Sequence, residues 1–129
     1  MRNVLGVMLV FTLVLGVASA YAGEATQMWR CEMEDDTGES QVLKGAADWL
    51  AAAKTMKGGE NMEATVFFPV AVNDNQDTDV WFVVTAPTFE EWGRFWDGYA
   101  GSAAEKVDNA NMDFIACPDS ALWESIPVK

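Results

Sequence analysis

The first regular pattern in the chain is an alternation of apolar and polar residues in the segment from Gln27 to Glu34. Trp29, Cys31 and Met33 fall on one side of this segment. A repeat of two residues is typical of a strand with one buried face. The segment is therefore predicted to be the first strand of the fold.

Two later segments have the repeat of an amphipathic helix. In Gln41 to Met56, apolar residues recur three or four positions apart until two glycines interrupt the pattern, which predicts the first helix. Thr88 and Glu91 form a capping box, the sequence signature of a helix N-terminus. It precedes an apolar helical face: Trp92, Phe95, Trp96 and Tyr99.

Three further strands complete the predicted order. Ala64 to Val72 and Asp79 to Thr85 are rich in β-forming residues, and the polar turn Asn73 to Asp77 between them predicts a hairpin. Met112 to Cys117 is expected to form the last strand, ending before Pro118. The stretch from Ser102 to Asn111 is compatible with a broken helix or a loop.

The order β-α-β-β-α-β predicts an α+β, ferredoxin-like domain, with a four-stranded antiparallel sheet and two helices on one face. The first and last strands are neighbours in this topology. The chain has two cysteines, Cys31 and Cys117, which are predicted to form a disulfide. Closing a loop of this length stabilises a fold by about 4 to 5 kcal/mol in the chain-entropy model.

The N-terminal residues have the pattern of a secretory signal peptide. Arg2 precedes an uncharged, mostly apolar run from Val4 to Val17, and small residues follow from Ala18 to Ala22. An uncleaved membrane anchor would need roughly 20 apolar residues. We therefore expect residues 1–22 to be removed, leaving residues 23–129 as one periplasmic or secreted domain.

The composition narrows the class of protein. The chain has 8 basic and 20 acidic residues, a net charge of −12, so nucleic acid and anionic membrane surfaces are disfavoured as partners. Half of the residues are hydrophobic and six are tryptophan, which predicts a folded domain and not a disordered one. The absence of histidine removes Ser-His and Cys-His nucleophile systems.

In its element order and in the helix stretches around Trp49 and Trp92 to Trp96, the chain resembles the dimeric α/β-barrel superfamily. In that superfamily two sheets pack open face to open face, so the resemblance implies an oligomer and a pocket. Its members include cofactor-free monooxygenases, haem-binding enzymes and proteins without a known activity. The resemblance therefore implies no particular reaction, and no cofactor is predicted.

The second and third strands predict an exposed apolar face. Val66 to Val72 and Val80 to Val84 have apolar residues on both sides, whereas helices cover only one face of this sheet. A homodimer through the open face is the predicted solution. A bound ligand, or the C-terminal segment Ser120 to Val128 folded over the face, would also cover it.

Candidate ligand-binding residues are few. Arg30 is the only cation of the first strand, and beside Phe68 or Phe82 it could hold the carboxylate or phosphate of a small, otherwise apolar ligand. A cross-strand pair with Glu32 is the structural alternative for Arg30.

No metal site and no catalytic residue are predicted. The spacing from Asn73 to Asp79 begins like a calcium loop, but it lacks the required glycine and the closing glutamate. We expect a non-catalytic binding or interaction domain. The alternative is a cofactor-free enzyme acting on a small apolar or aromatic compound.

Overall fold

A computed structural model describes residues 23–71 and 79–128. The predicted signal peptide and the predicted turn Asn73 to Asp77 lie outside these residues. None of the helices within these ranges is both long and apolar enough to span a bilayer. The elements follow in the order β1 (Glu24–Met33), α1 (Glu39–Ala53), β2 (Glu63–Phe67), β3 (Val80–Ala86), α2 (Phe89–Asp97), α3 (Ala103–Asn111) and β4 (Ile115–Ser125).

The four strands form one antiparallel sheet in the order β2-β3-β1-β4. This arrangement confirms the ferredoxin-like prediction, including the pairing of the first strand with the last. The segment from Ser102 to Asn111, predicted to be a broken helix or a loop, forms a third helix, α3. Ser102 caps it by accepting a hydrogen bond from the backbone N–H of Glu105 at 3.1 Å.

The register of the sheet defines its two faces. Trp29 lies opposite Phe82, and Cys31 lies opposite Val80, on the face against which the helices pack, here called the covered face. The neighbouring residue Arg30 lies opposite Trp81 on the other face, here called the open face. No helix packs on the open face within residues 23–71 and 79–128.

The main core lies between the covered face and the helices. Trp49 of α1, Phe95 of α2 and Ala104 of α3 are buried in one cluster with Ala25 and Val84 of the sheet. Phe95 is completely inaccessible to solvent. Burial of a large apolar side chain of this kind stabilises a fold by about 1.5 to 3 kcal/mol.

Helices α1 and α3 approach closely at Gly45. The Nδ2 atom of Asn111 donates a hydrogen bond to the Gly45 carbonyl oxygen at 3.2 Å. A β-carbon at Gly45 would lie 2.9 Å from Asn111 and from the ring of Phe114. The absence of a side chain at Gly45 therefore lets α3 rest against α1.

The last strand differs most from its predicted bounds. β4 continues through Pro118 to Ser125, because a β-bulge between Arg30 and Glu32 sets Cys117 and Pro118 together against one residue of β1. A proline without an N–H is tolerated at a bulge and on an edge strand, and β4 is both bulged and at the edge. The C-terminal segment through Ser125 therefore extends the sheet and does not fold over the open face.

The predicted disulfide joins Cys31 to Cys117 at this bulge. Cys31 is fully buried on the central strand. The bond therefore fixes the start of β4 against β1 from the covered face. Elsewhere, β2 ends at Phe67, because Pro69 cannot donate a hydrogen bond to a neighbouring strand.

The start of α2 yields a stability prediction. Thr88 is the N-cap, and its Oγ1 atom accepts a hydrogen bond from the backbone N–H of Glu91 at 3.1 Å. Thr88→Ala should therefore lower the free energy of unfolding by about 1 kcal/mol. Thr88→Ser keeps the hydroxyl and serves as the control. Equal denaturant midpoints for all three proteins would contradict a stabilising cap.

Candidate functional site

A partly open space between the covered face and the helices is here called the aromatic cavity. It consists of two adjoining spaces of about 560 and 430 Å³, solvent at their mouths included. Both spaces are lined by the same six residues: Trp49, Phe82, Asp108, Asn111, Ile115 and Cys117. Because the covered face and all three helices contribute to it, the cavity follows directly from the packing of the fold.

Aromatic residues are five of the ten residues that line the larger space. Trp29 lies on the central strand, and its ring centroid is 5.7 Å from that of Phe82 and 6.1 Å from that of Trp96. The Trp96 ring in turn lies 4.5 Å from the ring of Tyr99. Trp49 completes the wall from α1, with its ring edge-on to Phe82. These contacts fix the rings in place and leave an apolar space beside them.

The polar groups of the wall form a short hydrogen-bond chain. The Tyr99 hydroxyl donates to Oδ2 of Asp108 at 2.8 Å. The same hydroxyl accepts from the indole N–H of Trp49 at 3.5 Å. The polar wall is thus built from one residue of α1, one that follows α2 and one of α3.

Tyr99 is held in its neutral form. Burial raises the pKa of the Tyr99 phenol far above its usual range, and the nearby carboxylates of Asp108 and Glu105 act in the same direction. The hydrogen bond from Trp49 opposes this shift and does not reverse it. Tyr99 is consequently a hydrogen-bonding group of the wall and not a phenolate base at neutral pH.

The structure does not bring the predicted ligand-binding residues together. Arg30 lies on the open face, where it forms an ion pair with Asp119 of β4 and not with Glu32. Phe82 and Phe68 lie on the covered face, packed with Trp29 and with the cluster around Val80. Arg30 and the two phenylalanines therefore do not lie together in the structure, because the parity of β1 and the register of β3 place them on opposite faces.

Arg30 remains a candidate on its own face. A shallow depression of about 430 Å³, solvent included, lies beside it and contacts Met28, Trp81 and Ala121. The Nε atom of Arg30 is buried and has no hydrogen-bond partner among the residues that the structure describes. Its predicted role in binding a ligand stays a prediction.

The sequence missed Tyr99, Asp108 and Asn111 as site residues. Two of them belong to α3, a helix whose only clear sequence signal is Ser102 with Glu105 three residues later, the start of a capping motif.

Asp79 belonged to the spacing that begins like a calcium loop. The Oδ2 atom of Asp79 accepts a hydrogen bond from the backbone N–H of Met33 at 2.8 Å. Asp79 therefore has a structural role.

Comparison with solved structures supports the fold. The chain is similar to SnoaB, a cofactor-independent oxygenase from Streptomyces nogalater (TM-score 0.56, 11% identity, 83% of this chain and 97% of that chain). It is similar to a hydroxynitrile lyase from Passiflora edulis (TM-score 0.55, 10% identity, 84% and 96%). A third similar structure is a dabb family protein with a ferredoxin-like fold from Mesorhizobium loti (TM-score 0.52, 8% identity, 83% and 99%).

These similarities confirm the resemblance to the ferredoxin-like, dimeric α/β-barrel proteins at the level of the fold. At such low identity they carry no information about the reaction or the ligand. No protein-family model and no curated protein matches the chain.

The neutral state of Tyr99 yields a spectroscopic prediction. The chain has two tyrosines, and Tyr21 lies in the predicted signal peptide, so protein consisting of residues 23–129 reports on Tyr99 alone. A raised pKa in the folded state stabilises the fold below the ordinary pKa of tyrosine, about 10. That contribution is lost as the pH rises from there towards the folded-state pKa. Phenolate absorbance should therefore appear only well above pH 10.

Circular dichroism recorded in the same titration shows whether the fold persists. The Tyr99→Phe variant of the same mature protein should show no phenolate signal and provides the control. Half-ionisation of Tyr99 near pH 10, with the native dichroism spectrum intact, would contradict the buried hydrogen-bonded phenol.

Proposed function

We propose that this protein is an exported small-molecule-binding protein that holds a largely apolar compound in the aromatic cavity. The observation that carries the proposal is the cavity itself, walled by Trp29, Trp49, Phe82, Trp96 and Tyr99. The space that water-sized atoms can occupy in its larger part is about 130 Å³, close to the roughly 150 Å³ of an engineered apolar cavity that binds benzene, so it suits a compound with a single ring. An apolar wall with few polar groups is also the usual composition of such sites.

The hydrogen-bond chain favours binding over catalysis. The Tyr99 hydroxyl already donates to Asp108 and accepts from Trp49, so it is occupied in both roles. The chain has no histidine to act as a general base near neutral pH. The cavity is therefore better suited to hold a compound than to transform it.

A cofactor-free enzyme is the second candidate, and Asp108 is the observation that favours it. Its carboxylate lines both parts of the cavity and is the group best placed to take a proton from a bound compound. Similar structures include a cofactor-independent oxygenase and a hydroxynitrile lyase.

Mass spectrometry after incubation with any compound that binds distinguishes the two candidates. A product formed by the wild type and not by Asp108→Asn would favour the enzyme.

Export is part of the proposal. The predicted signal peptide over residues 1–22 and the Cys31–Cys117 disulfide both suit an oxidising compartment. The mature protein would then begin at Gly23.

We further propose that a second copy of the chain covers the open face. Phe67 and Trp123 are 52% and 58% exposed there, and the register places Trp81 and Met28 on the same face. The face also carries both signs of charge, Arg30 and Glu32 among them, so a two-fold related copy can offer each charge an opposite partner. A standard interface would bury about 800 Å² on each subunit.

The cavity proposal predicts the effect of filling the space. Ala46 of α1 lines the cavity, whereas the adjacent Ala47 is exposed. Ala46→Phe should weaken binding of small aromatic compounds by about tenfold or more, because its ring occupies the space they need. Ala47→Phe adds the same ring outside the cavity and should leave the affinity unchanged.

Titration calorimetry with indole, naphthalene and phenol derivatives measures both variants against the wild type. Thermal melting confirms that each variant is folded. If no compound of the panel binds the wild type, or if both variants bind equally well, the cavity is not the binding site.

The dimer proposal is tested with a matched pair of phenylalanines. Phe67→Glu places a charge on the open face, where it should split the dimer and leave a folded monomer. Phe82→Glu places it inside the covered face, where it should unfold the subunit, because an unpaired buried charge costs several kcal/mol. Light scattering and circular dichroism report the two outcomes. A wild-type protein that is monomeric at micromolar concentrations would contradict the proposal.

A further inference from the structure

We propose that the ligand of the aromatic cavity is a small organic cation, an ammonium group carried on an apolar or aromatic body. This inference rests on the proposed binding function and specifies its ligand class. It differs from the sequence-based expectation of an anionic group held by Arg30, which lies on the opposite face of the sheet.

The charge of the cavity wall has one sign. Among the described residues that line the cavity, Asp108 is the only carboxylate, and none is a lysine or an arginine. An anionic ligand would thus meet a carboxylate and no compensating cation. A cationic ligand would pair with Asp108 in a partly desolvated site, where charge pairs are stronger than in water.

The aromatic rings act in the same direction as Asp108. The faces of indole, phenol and phenyl rings carry partial negative charge and attract cations, with tryptophan the strongest of the three. Trp29, Trp49 and Trp96 all line the larger space, together with Tyr99 and Phe82. Several aromatic rings around one carboxylate form the kind of environment in which proteins hold quaternary ammonium groups.

The hydrogen bond from Tyr99 orients the Asp108 carboxylate. Tyr99 donates to Oδ2, whereas Oδ1 accepts no hydrogen bond within the described part of the chain. Burial keeps the Tyr99 phenol protonated, so Tyr99 adds no second negative charge. The cavity therefore offers a single oriented carboxylate oxygen to its ligand.

The charge of the whole molecule favours the same ligand class. With a net charge of −12, the surrounding potential attracts cations to the cavity mouth and repels anions. This long-range term is screened by salt, whereas the contacts inside the cavity are screened much less. Selectivity for a cation that persists at high salt would therefore arise from the cavity itself.

Three probes of nearly equal shape test the inference on the purified protein. Phenyltrimethylammonium is the cation, tert-butylbenzene is its neutral isostere, and benzenesulfonate is the anion. The cation should bind about tenfold more tightly than the neutral probe, in low and in high salt, through the combined carboxylate and ring contacts. The anion should not bind measurably.

Two matched variants locate the selectivity. Asp108→Asn keeps an oxygen that can accept from Tyr99 and removes the charge, so it should weaken the cation about tenfold and leave the neutral probe unchanged. Asp36→Asn removes one charge from an exposed loop and should leave both affinities unchanged. Unaltered binding of the neutral probe shows that the Asp108→Asn cavity is intact.

The outcomes separate this inference from the binding function. If the neutral or the anionic probe binds as tightly as the cation, or if Asp108→Asn leaves the affinity of the cation unchanged, the inference is overturned and the binding function stands. If none of the three probes binds, both are overturned.

Discussion

The pairing of β1 with β4 across the bulge at Cys117 and Pro118 holds the edge of the sheet in register with its centre. The register is shifted between Arg30 and Glu32, and the Cys31–Cys117 disulfide lies at the shift. Since β1 is a central strand and β4 an edge strand, the disulfide attaches the edge to the core. The same bond sets Cys117 and Ile115 into the wall of the aromatic cavity.

The cavity exists because the three helices do not fill the covered face. Helix α3 rests against α1 through the contact between Asn111 and Gly45, and this contact directs Asp108 towards Tyr99. On the later part of β4, Leu122 of the covered face is 38% exposed. The space between Trp29 and α3 is therefore left open by the architecture and not by a missing side chain.

Much of the fold could be predicted from local patterns. The alternation around Trp29 and the capping box at Thr88 are local signals, and both correspond to elements in the structure. The cysteine count correctly predicted the disulfide. The end of β4 could not be predicted from the sequence. A strand tolerates a proline such as Pro118 at a bulge or at the edge of a sheet, and only tertiary pairing defines these positions.

The candidate site was less accessible to sequence reasoning. Parity correctly placed Arg30 on the side opposite Trp29, but the face of Phe82 depends on the register between β1 and β3. Asp108 and Asn111 lie on a short helix that has no strong apolar repeat, and their importance comes from contacts with residues far away in the chain. A site assembled from three strands and three helices cannot be read from the spacing within any one of them.

Under the proposed function, the ligand enters the aromatic cavity and not the open face. The indole N–H resonances of the six tryptophans test it most directly, because Trp29, Trp49 and Trp96 line the cavity, whereas Trp81 and Trp123 lie on the open face. Adding phenyltrimethylammonium to ¹⁵N-labelled protein should shift the three cavity signals and leave the two open-face signals in place. Shifts confined to Trp81 and Trp123 would contradict the account.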